Sequence, residues 1–312
     1  MRLIKKIIEI YLKKENNDLI KILSEILNDK KLTFLDIGAS GGIPKRWEFV
    51  EKFLIKILVE PDEKSSKDLI NNGNFIIDKV LFSEPDKIID FYHTKKQTCS
   101  SLLKPNFDYL SKFSEVERFK IQNNLKFKTS TLDVELQDRY RPDFMKIDTE
   151  GSELIIFDGS QNTLKNLLGL EIEVSFFNLR EKQPIYQDVM NYLSKYNFEF
   201  IDFLSMIRWE RDKFRFTGQP HLSDLLFLIS PNKIIDDYNK NKISEDIVLK
   251  YIIILVVYLR VDFLKILSLD DKIKNNFNHI EKILYLVEKK VKKINKIESI
   301  AYILKNKIYN TI

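Results

Sequence analysis

The stretch Leu35-Asp36-Ile37-Gly38-Ala39-Ser40-Gly41-Gly42 constrains this chain more than any other, because a short apolar run ends there in a glycine-dense turn. Thr33 to Ile37 reads as a buried interior strand. Gly38, Gly41 and Gly42 let the backbone turn sharply and lie directly against a ligand before a helix begins. Only eight glycines occur in 312 residues, and three of them are in this turn. A glycine turn by itself is only a turn, so the next apolar run matters. Lys56 to Val59 delivers Glu60, followed by Pro61, about 20 residues after the turn. At that spacing an acidic side chain accepts hydrogen bonds from the hydroxyls of a nucleoside ribose.

The loop also discriminates between nucleosides. A dinucleotide fingerprint needs glycine at its first and third positions so that a pyrophosphate can approach the helix N-terminus, and here the third position is Ser40. Asp36, just before the first glycine, is a poor neighbour for a pyrophosphate and a better one for the sulfonium and ammonium of S-adenosylmethionine. An NAD-dependent enzyme is the alternative that Ser40 argues against.

Further motifs follow in order. Ile43-Pro44 and Arg46-Trp47 come after the loop, and Val59-Glu60-Pro61-Asp62 after the second strand. Then come Ser100-Ser101-Leu102 with Pro105-Asn106, Thr131-Leu132-Asp133, and Asp143-Phe144-Met145-Lys146-Ile147-Asp148-Thr149-Glu150-Gly151. Leu170-Glu171-Ile172-Glu173 and Ser223-Asp224-Leu225-Leu226-Phe227 complete the set. With the opening Asp36 to Gly42, the series spans about residues 32 to 230 and resembles the FkbM-type methyltransferases, class I enzymes that use S-adenosylmethionine. The resemblance implies a Rossmann-like α/β fold with a mostly parallel seven-stranded sheet. It also implies methyl transfer to a hydroxyl oxygen, with a sugar hydroxyl of a glycan or glycosylated metabolite as acceptor. A non-catalytic cofactor-fold scaffold is the rival, and the intact loop with Glu60 argues against it.

The second chemical centre is the strand Phe144 to Ile147, which carries Lys146 and ends in Asp148 and Glu150. If the chain stays extended, those two carboxylates point to the same side. Asp148 is the first choice for proton acceptor or orienter of the attacking hydroxyl. Glu150 competes with a role as cap of the helix from Ser152 to Gly159. Gly169 to Phe177 alternates Glu171 and Glu173 with apolar residues, and Lys146 on the neighbouring strand is an available partner for them. The catalytic candidates are therefore Asp148, Glu150, Glu173 and His221. The expected cofactor contacts are Asp36, Gly38, Ala39, Ser40, Gly42, Glu60, Pro61, Ser83 and Asp148. The resemblance implies substrate contacts at Ser100 and Ser101, two loop serines that carry no signal by themselves; Lys146 and Asp224 are further candidates, with His93 read as a solvent-facing strand residue. Three histidines make a histidine-rich metal site improbable, and no metal is expected. A single cysteine, Cys99, cannot form an internal disulfide and suits a reducing cytoplasm.

The rest of the chain is helical. Residues 1–31 place apolar side chains at helical intervals and predict a cap of two helices broken near Asn16-Asn17; charges throughout argue against a signal peptide. Residues 32–231 form the methyltransferase domain, and 232–312 form a basic helical extension. The extension carries 16 Lys+Arg against 10 Asp+Glu, which leaves 35 against 36 for residues 1–231. With a net charge of −1 there, no nucleic-acid partner is expected for the catalytic region. Tyr251 to Leu259 is apolar but falls short of the ~20 residues that span a bilayer, and predicts a buried helix. Ile280, Leu284, Val287, Val291 and Ile294 form a seam that suits packing against another helix, in this chain or in a second copy. A cationic helix lying on the inner face of an anionic membrane is the alternative.

Overall fold

The computed structural model describes residues 2–40, 42–62, 69, 74–137, 139–211 and 218–309, with side chains from residue 13 to residue 297. Glu63 to Asn71 reads in the sequence as a helix; apart from Leu69 it lies, like Gly41, outside the described residues. The chain divides into two compact units, one of Met1–Lys31, Lys45–Phe53 and Ser230–Ile312, the other of Leu32–Pro44 and Leu54–Ile229.

The larger unit is built on strands β1 (Leu32–Ile37), β2 (Leu54–Val59), β3 (Phe75–Ile77), β4 (Val80–Leu81), β5 (Ile88–Thr94) and β6 (Ile121–Ser130). After these come β7 (Phe144–Ile147), β8 (Gly169–Ser175), β9 (Phe198–Phe203), β10 (Ile207–Trp209) and β11 (Gln219–Ile229). Eight of them form one sheet in the order β10-β11-β8-β7-β1-β2-β3, with β9 also paired to β11. The five strands from β8 to β3 are parallel, and β11 runs antiparallel to β8. This is the Rossmann-like class I methyltransferase architecture, with eight strands in place of the expected seven. Every residue of β1 is buried, which is why its sequence is a nearly continuous apolar run. Strand order reverses between β1 and β7, and a ligand crevice belongs at the C-terminal strand ends beside such a switch point.

A second, three-stranded sheet corrects one expected pairing. In the sequence, Ile88 to Thr94 reads as the extended partner of Val80 to Ser83 across the Glu84-Pro85-Asp86 turn, yet β5 pairs antiparallel with β6, and β4 pairs parallel with the last two residues of β6. The turn is held by Thr129 of β6, whose Oγ1 donates to the Glu84 carbonyl at 2.7 Å and accepts from the Lys87 amide at 3.0 Å. The chain therefore leaves β4 toward β6. Phe107 to Asn123 reads in the sequence as an aromatic-rich helical insertion, but β6 starts at Ile121 and the segment is helical only in short turns over Phe107–Leu110 and Ser114–Phe119.

In the helical unit, Arg2–Leu27 is one helix, not two. Asn16 and Asn17 are poor helix formers, but tertiary contacts outweigh propensity here. Glu15, beside them, is fully buried and receives Lys293 at 2.7 Å and Lys289 at 3.6 Å from the helix Ile280–Tyr309. Desolvation opposes ionisation of Glu15, but the Lys293 hydrogen bond and the two lysine charges hold its carboxyl below the usual range. The seam of the C-terminal helix thus packs within this chain, against Arg2–Leu27 and Val261–Ser268. Its buried residues are Ile280, Ile283, Leu286, Val287 and Lys290, so Leu284, Val291 and Ile294 lie at the margin. Lys290 sits 4.4 Å over the Phe49 ring, and burial pushes its ammonium down to about 8. The expected buried helix is Glu245–Val257, with Tyr251 to Val257 all enclosed. Fully buried Trp47 packs edge-on against Tyr258 and donates to its hydroxyl at 3.3 Å. No helix among the described residues is long and apolar enough to cross a membrane.

Candidate active site

The parallel register places two rows of side chains on one face of the sheet at its C-terminal edge. The lower row is Asp36, Lys146 and Glu171, directly opposite one another on β1, β7 and β8. Two residues farther along each strand are Gly38, Asp148 and Glu173, with Asp224 of β11 opposite Glu173. The alternation that sequence reading found in β8 is therefore the alternation that brings Glu171 and Glu173 to the cleft side.

The lower row is a buried charge ladder. Lys146 Nζ lies 3.4 Å from Asp36 Oδ1 and 3.7 Å from Asp148 Oδ2. Burial pushes Asp36, which is fully enclosed, up to about 6 against the pull of Lys146. Burial also disfavours the Lys146 ammonium, yet the carboxylates of Asp36, Asp148, Glu171 and Asp224 keep it protonated well above its usual range. Asp36 is thus enclosed beneath the loop with its Oδ2 lacking a hydrogen-bond partner among the described residues, and Lys146 lies between Asp36 and Asp148.

The glycine loop is pinned on both sides. The amides of Gly38 and Ala39 both donate to the Val59 carbonyl, at 3.1 and 3.2 Å, and the Asp148 amide donates to the Ile37 carbonyl at 3.0 Å. Gly38 has φ +85°, and a Cβ there would lie 2.0 Å from the Asp148 carbonyl oxygen. Only glycine lets β1 and β7 approach so closely. Gly42, at φ +72°, faces open space. Buried Glu60 at the end of β2 accepts from the Asp62 amide through Oε1, at 2.9 Å, and desolvation raises its carboxyl. Ser40 is exposed beside the turn, and Pro61 and Ser83 are half-buried. A turn with an open flank at Gly42 and a ribose carboxylate at Glu60 fit S-adenosylmethionine, which these residues would hold.

Around the upper row, Glu150 departs from the expected extended path. Its φ is +57°, so it does not simply follow Asp148 along a strand; its carboxylate forms an ion pair with fully buried Arg180. The following helix, Glu153–Asp158, has no side-chain cap at Ser152; its first residue, Glu153, ties the preceding loop instead, its Oε1 accepting from the amides of Thr149 and Gly151 and from the Thr149 hydroxyl, at 2.9 to 3.1 Å. Carboxylate oxygens of Asp148, Glu150 and Glu173 nevertheless come within 4.8 Å of one another. Burial pushes Glu173 well above the usual carboxylate range, reinforced by Asp148, Glu150, Glu153 and Asp224. Among the described residues no cation pairs with it.

Other expected contacts go elsewhere. Ser101 is buried, donates to the Glu150 carbonyl at 2.9 Å and accepts from the Leu103 amide at 3.0 Å; Ser100 accepts from the Thr94 amide at 3.1 Å. These hydroxyls brace the loop. His221 is fully enclosed among aromatic rings, stacked on Trp209 at 4.5 Å and edge-on to Phe113 at 4.4 Å. Its Nδ1 lies 2.8 Å from the Gln219 carbonyl, which can only accept, so Nδ1 carries the proton and Nε2 accepts from the Tyr109 hydroxyl at 3.2 Å. Burial lowers its pKa and keeps the ring neutral. His93 is half-buried on β5, away from both rows. Sequence reading missed Arg180, Glu153 and Tyr109. None of them stands in a periodic pattern that marks a site.

A parallel sheet whose strand order reverses beside a glycine turn, with the Glu60 carboxylate at the end of the next strand, is the architecture of a class I S-adenosylmethionine-dependent methyltransferase. A family model described as a methyltransferase FkbM domain matches residues 36–200, and the chain belongs to that family. S-adenosylmethionine is its cofactor. No curated protein sequence matches the chain. Among solved structures, an rRNA methylase from Streptococcus thermophilus is similar at 12% identity and TM-score 0.31, covering 67% of this chain and 93% of that one. TrmK from M. capricolum, in complex with S-adenosylhomocysteine, is similar at 12% identity and TM-score 0.32, over 86% and 97% of the two chains. The C-terminal domain of a precorrin-6Y C5,15-methyltransferase from Rhodobacter capsulatus is similar at 12% identity and TM-score 0.31, over 67% and 88%. The expectation of no nucleic-acid partner is corrected by these neighbours, because an rRNA methylase stands among them. At these TM-scores the likeness assigns no acceptor to this chain.

Proposed function

We propose that the protein methylates a hydroxyl oxygen of a sugar ring, and that Glu173 accepts the hydroxyl proton. One observation carries this reading. Of the three clustered carboxylates, Asp148 is beside Lys146 and Glu150 is paired with Arg180, while Glu173 has carboxylates for neighbours and no cation among the described residues. A carboxylate so placed holds a proton more tightly than an ordinary glutamate does and is better matched to base work near neutral pH. Asp148 then orients the acceptor hydroxyl, a change from the first choice read in the sequence. S-adenosylmethionine, when bound, supplies an already activated methyl group, so the protein's tasks are alignment, exclusion of water and removal of one proton. The family membership and a rim of four carboxylates, Asp148, Glu150, Glu173 and Asp224, suit a neutral polyhydroxyl acceptor whose donors they can accept.

The test is a panel assay with S-adenosylmethionine labelled on its methyl group, offered monosaccharides, oligosaccharides and tRNA in separate reactions. Alkali-stable label in a carbohydrate, released as a methyl ether, is the expected outcome. Label on a tRNA base, or as an alkali-labile ester, contradicts the reading.

A further inference from the structure

We propose that Arg180 is a positioning residue for this site: through its ion pair it fixes Glu150 as a carboxylate against Glu173, so that Glu173 is the member of the cluster that takes the proton. The inference rests on the reading of Glu173 as proton acceptor and adds the device that selects it. Arg180 is fully buried in the segment after β8 and stacks 5.5 Å from the Phe119 ring. Its Nη2 donates to the Cys99 carbonyl at 3.1 Å and to Glu150 Oε2, while Nε and Nη1 have no partner among the described residues. The guanidinium charge is therefore directed at a single carboxylate. Its backbone is fixed as well, since the Arg180 amide donates to Gln183 Oε1 at 3.0 Å and Gln183 Nε2 donates to Ser175 Oγ at 2.8 Å.

Glu150 is held from its other end. Ser101 Oγ binds its carbonyl, and its left-handed backbone conformation turns the side chain toward Arg180. A non-glycine residue at positive φ is strained and persists where the surroundings enforce it. Three carboxylates within 4.8 Å repel one another, so their ionisation is linked, and the one without a cation beside it is the last to lose its proton. Asp148 has Lys146, Glu150 has Arg180, and the remaining groups facing Glu173 are Glu153 and Asp224, both acidic. Burial raises Glu150 too, but Arg180 pulls against that rise, whereas nothing named opposes it at Glu173.

The device is tested without any acceptor, by following carboxyl carbon shifts against pH in full-length protein labelled at glutamate Cδ, saturated with S-adenosylhomocysteine. Glu173→Gln assigns the Glu173 signal. In the native protein Glu173 is expected to titrate above the ordinary carboxylate range. Glu150→Gln removes the facing negative charge and should weaken proton binding at Glu173 roughly tenfold. Arg180→Gln should transfer the high midpoint to Glu150 and lower that of Glu173, while Arg180→Lys restores the native order. A merely structural arginine would change the melting transition and leave the midpoints alone. An ordinary midpoint for Glu173 in the native protein, or one unmoved by Glu150→Gln, overturns the proposal; the latter variant decides alone if Arg180→Gln does not fold. Failure here with Glu173→Gln still inactive in methyl transfer would overturn the device and leave the base assignment standing.

Discussion

Glu173→Gln is expected to lower methyl transfer by ~10²–10⁴ while leaving S-adenosylhomocysteine affinity nearly unchanged. The amide keeps the shape of the carboxylate and its place opposite Asp224, but it cannot take up the acceptor proton. Sign follows from the same group. The base works only when deprotonated, so the rate should rise as pH increases through the Glu173 midpoint, and that midpoint lies above the usual carboxylate range because burial and four acidic neighbours raise it. This rising limb should disappear in Glu173→Gln. Steady-state rates across pH, with any acceptor found in the panel assay, check both effects; full turnover in a folded Glu173→Gln protein would return the base assignment to Asp148.

The second large effect is structural. Gly38→Ala should destabilise the protein by about 2–4 kcal/mol, from strain at positive φ together with overpacking against a rigid backbone. The new methyl would lie 2.0 Å from the Asp148 carbonyl oxygen, so either β1 and β7 separate at their C-terminal ends or the loop moves. Both displace Asp148 from the cleft, and cofactor binding should fail before the fold does. Gly42→Ala is the control: it has similar φ but open space, and about 1 kcal/mol of strain is expected. Denaturant unfolding of the two variants, with equal losses, would remove the close approach from the account.

These predictions show which parts of the site the sequence carries locally. The glycine turn, Glu60 and the alternating Glu171 and Glu173 are legible because a strand fixes side-chain direction two residues at a time. Asp148 is legible because it ends an apolar strand. Glu150 is not: its φ of +57° reverses the expected path, and nothing in Thr149-Glu150-Gly151 encodes that short of the folded surroundings. Arg180 is hidden for the same reason, since its partner lies 30 residues away and its burial depends on Phe119 and Cys99 from another segment. His221 is ambiguous in sequence because a lone histidine near a strand return reads equally well as a base or as a core residue, and the fold encloses it among Trp209, Phe113 and Tyr109. The continuous helix through Asn16-Asn17 depends on the C-terminal lysines that bind Glu15, which no local window contains.

Titration calorimetry with S-adenosylhomocysteine and NAD tests the nucleoside site at the Gly38–Gly42 turn and Glu60. Saturable binding of S-adenosylhomocysteine is expected, with no binding of NAD and a loss of about 1–3 kcal/mol in folded Glu60→Ala, the cost of leaving ribose hydroxyls without their carboxylate. Absence of S-adenosylhomocysteine binding in the native protein, or unchanged affinity in Glu60→Ala, would contradict that site assignment.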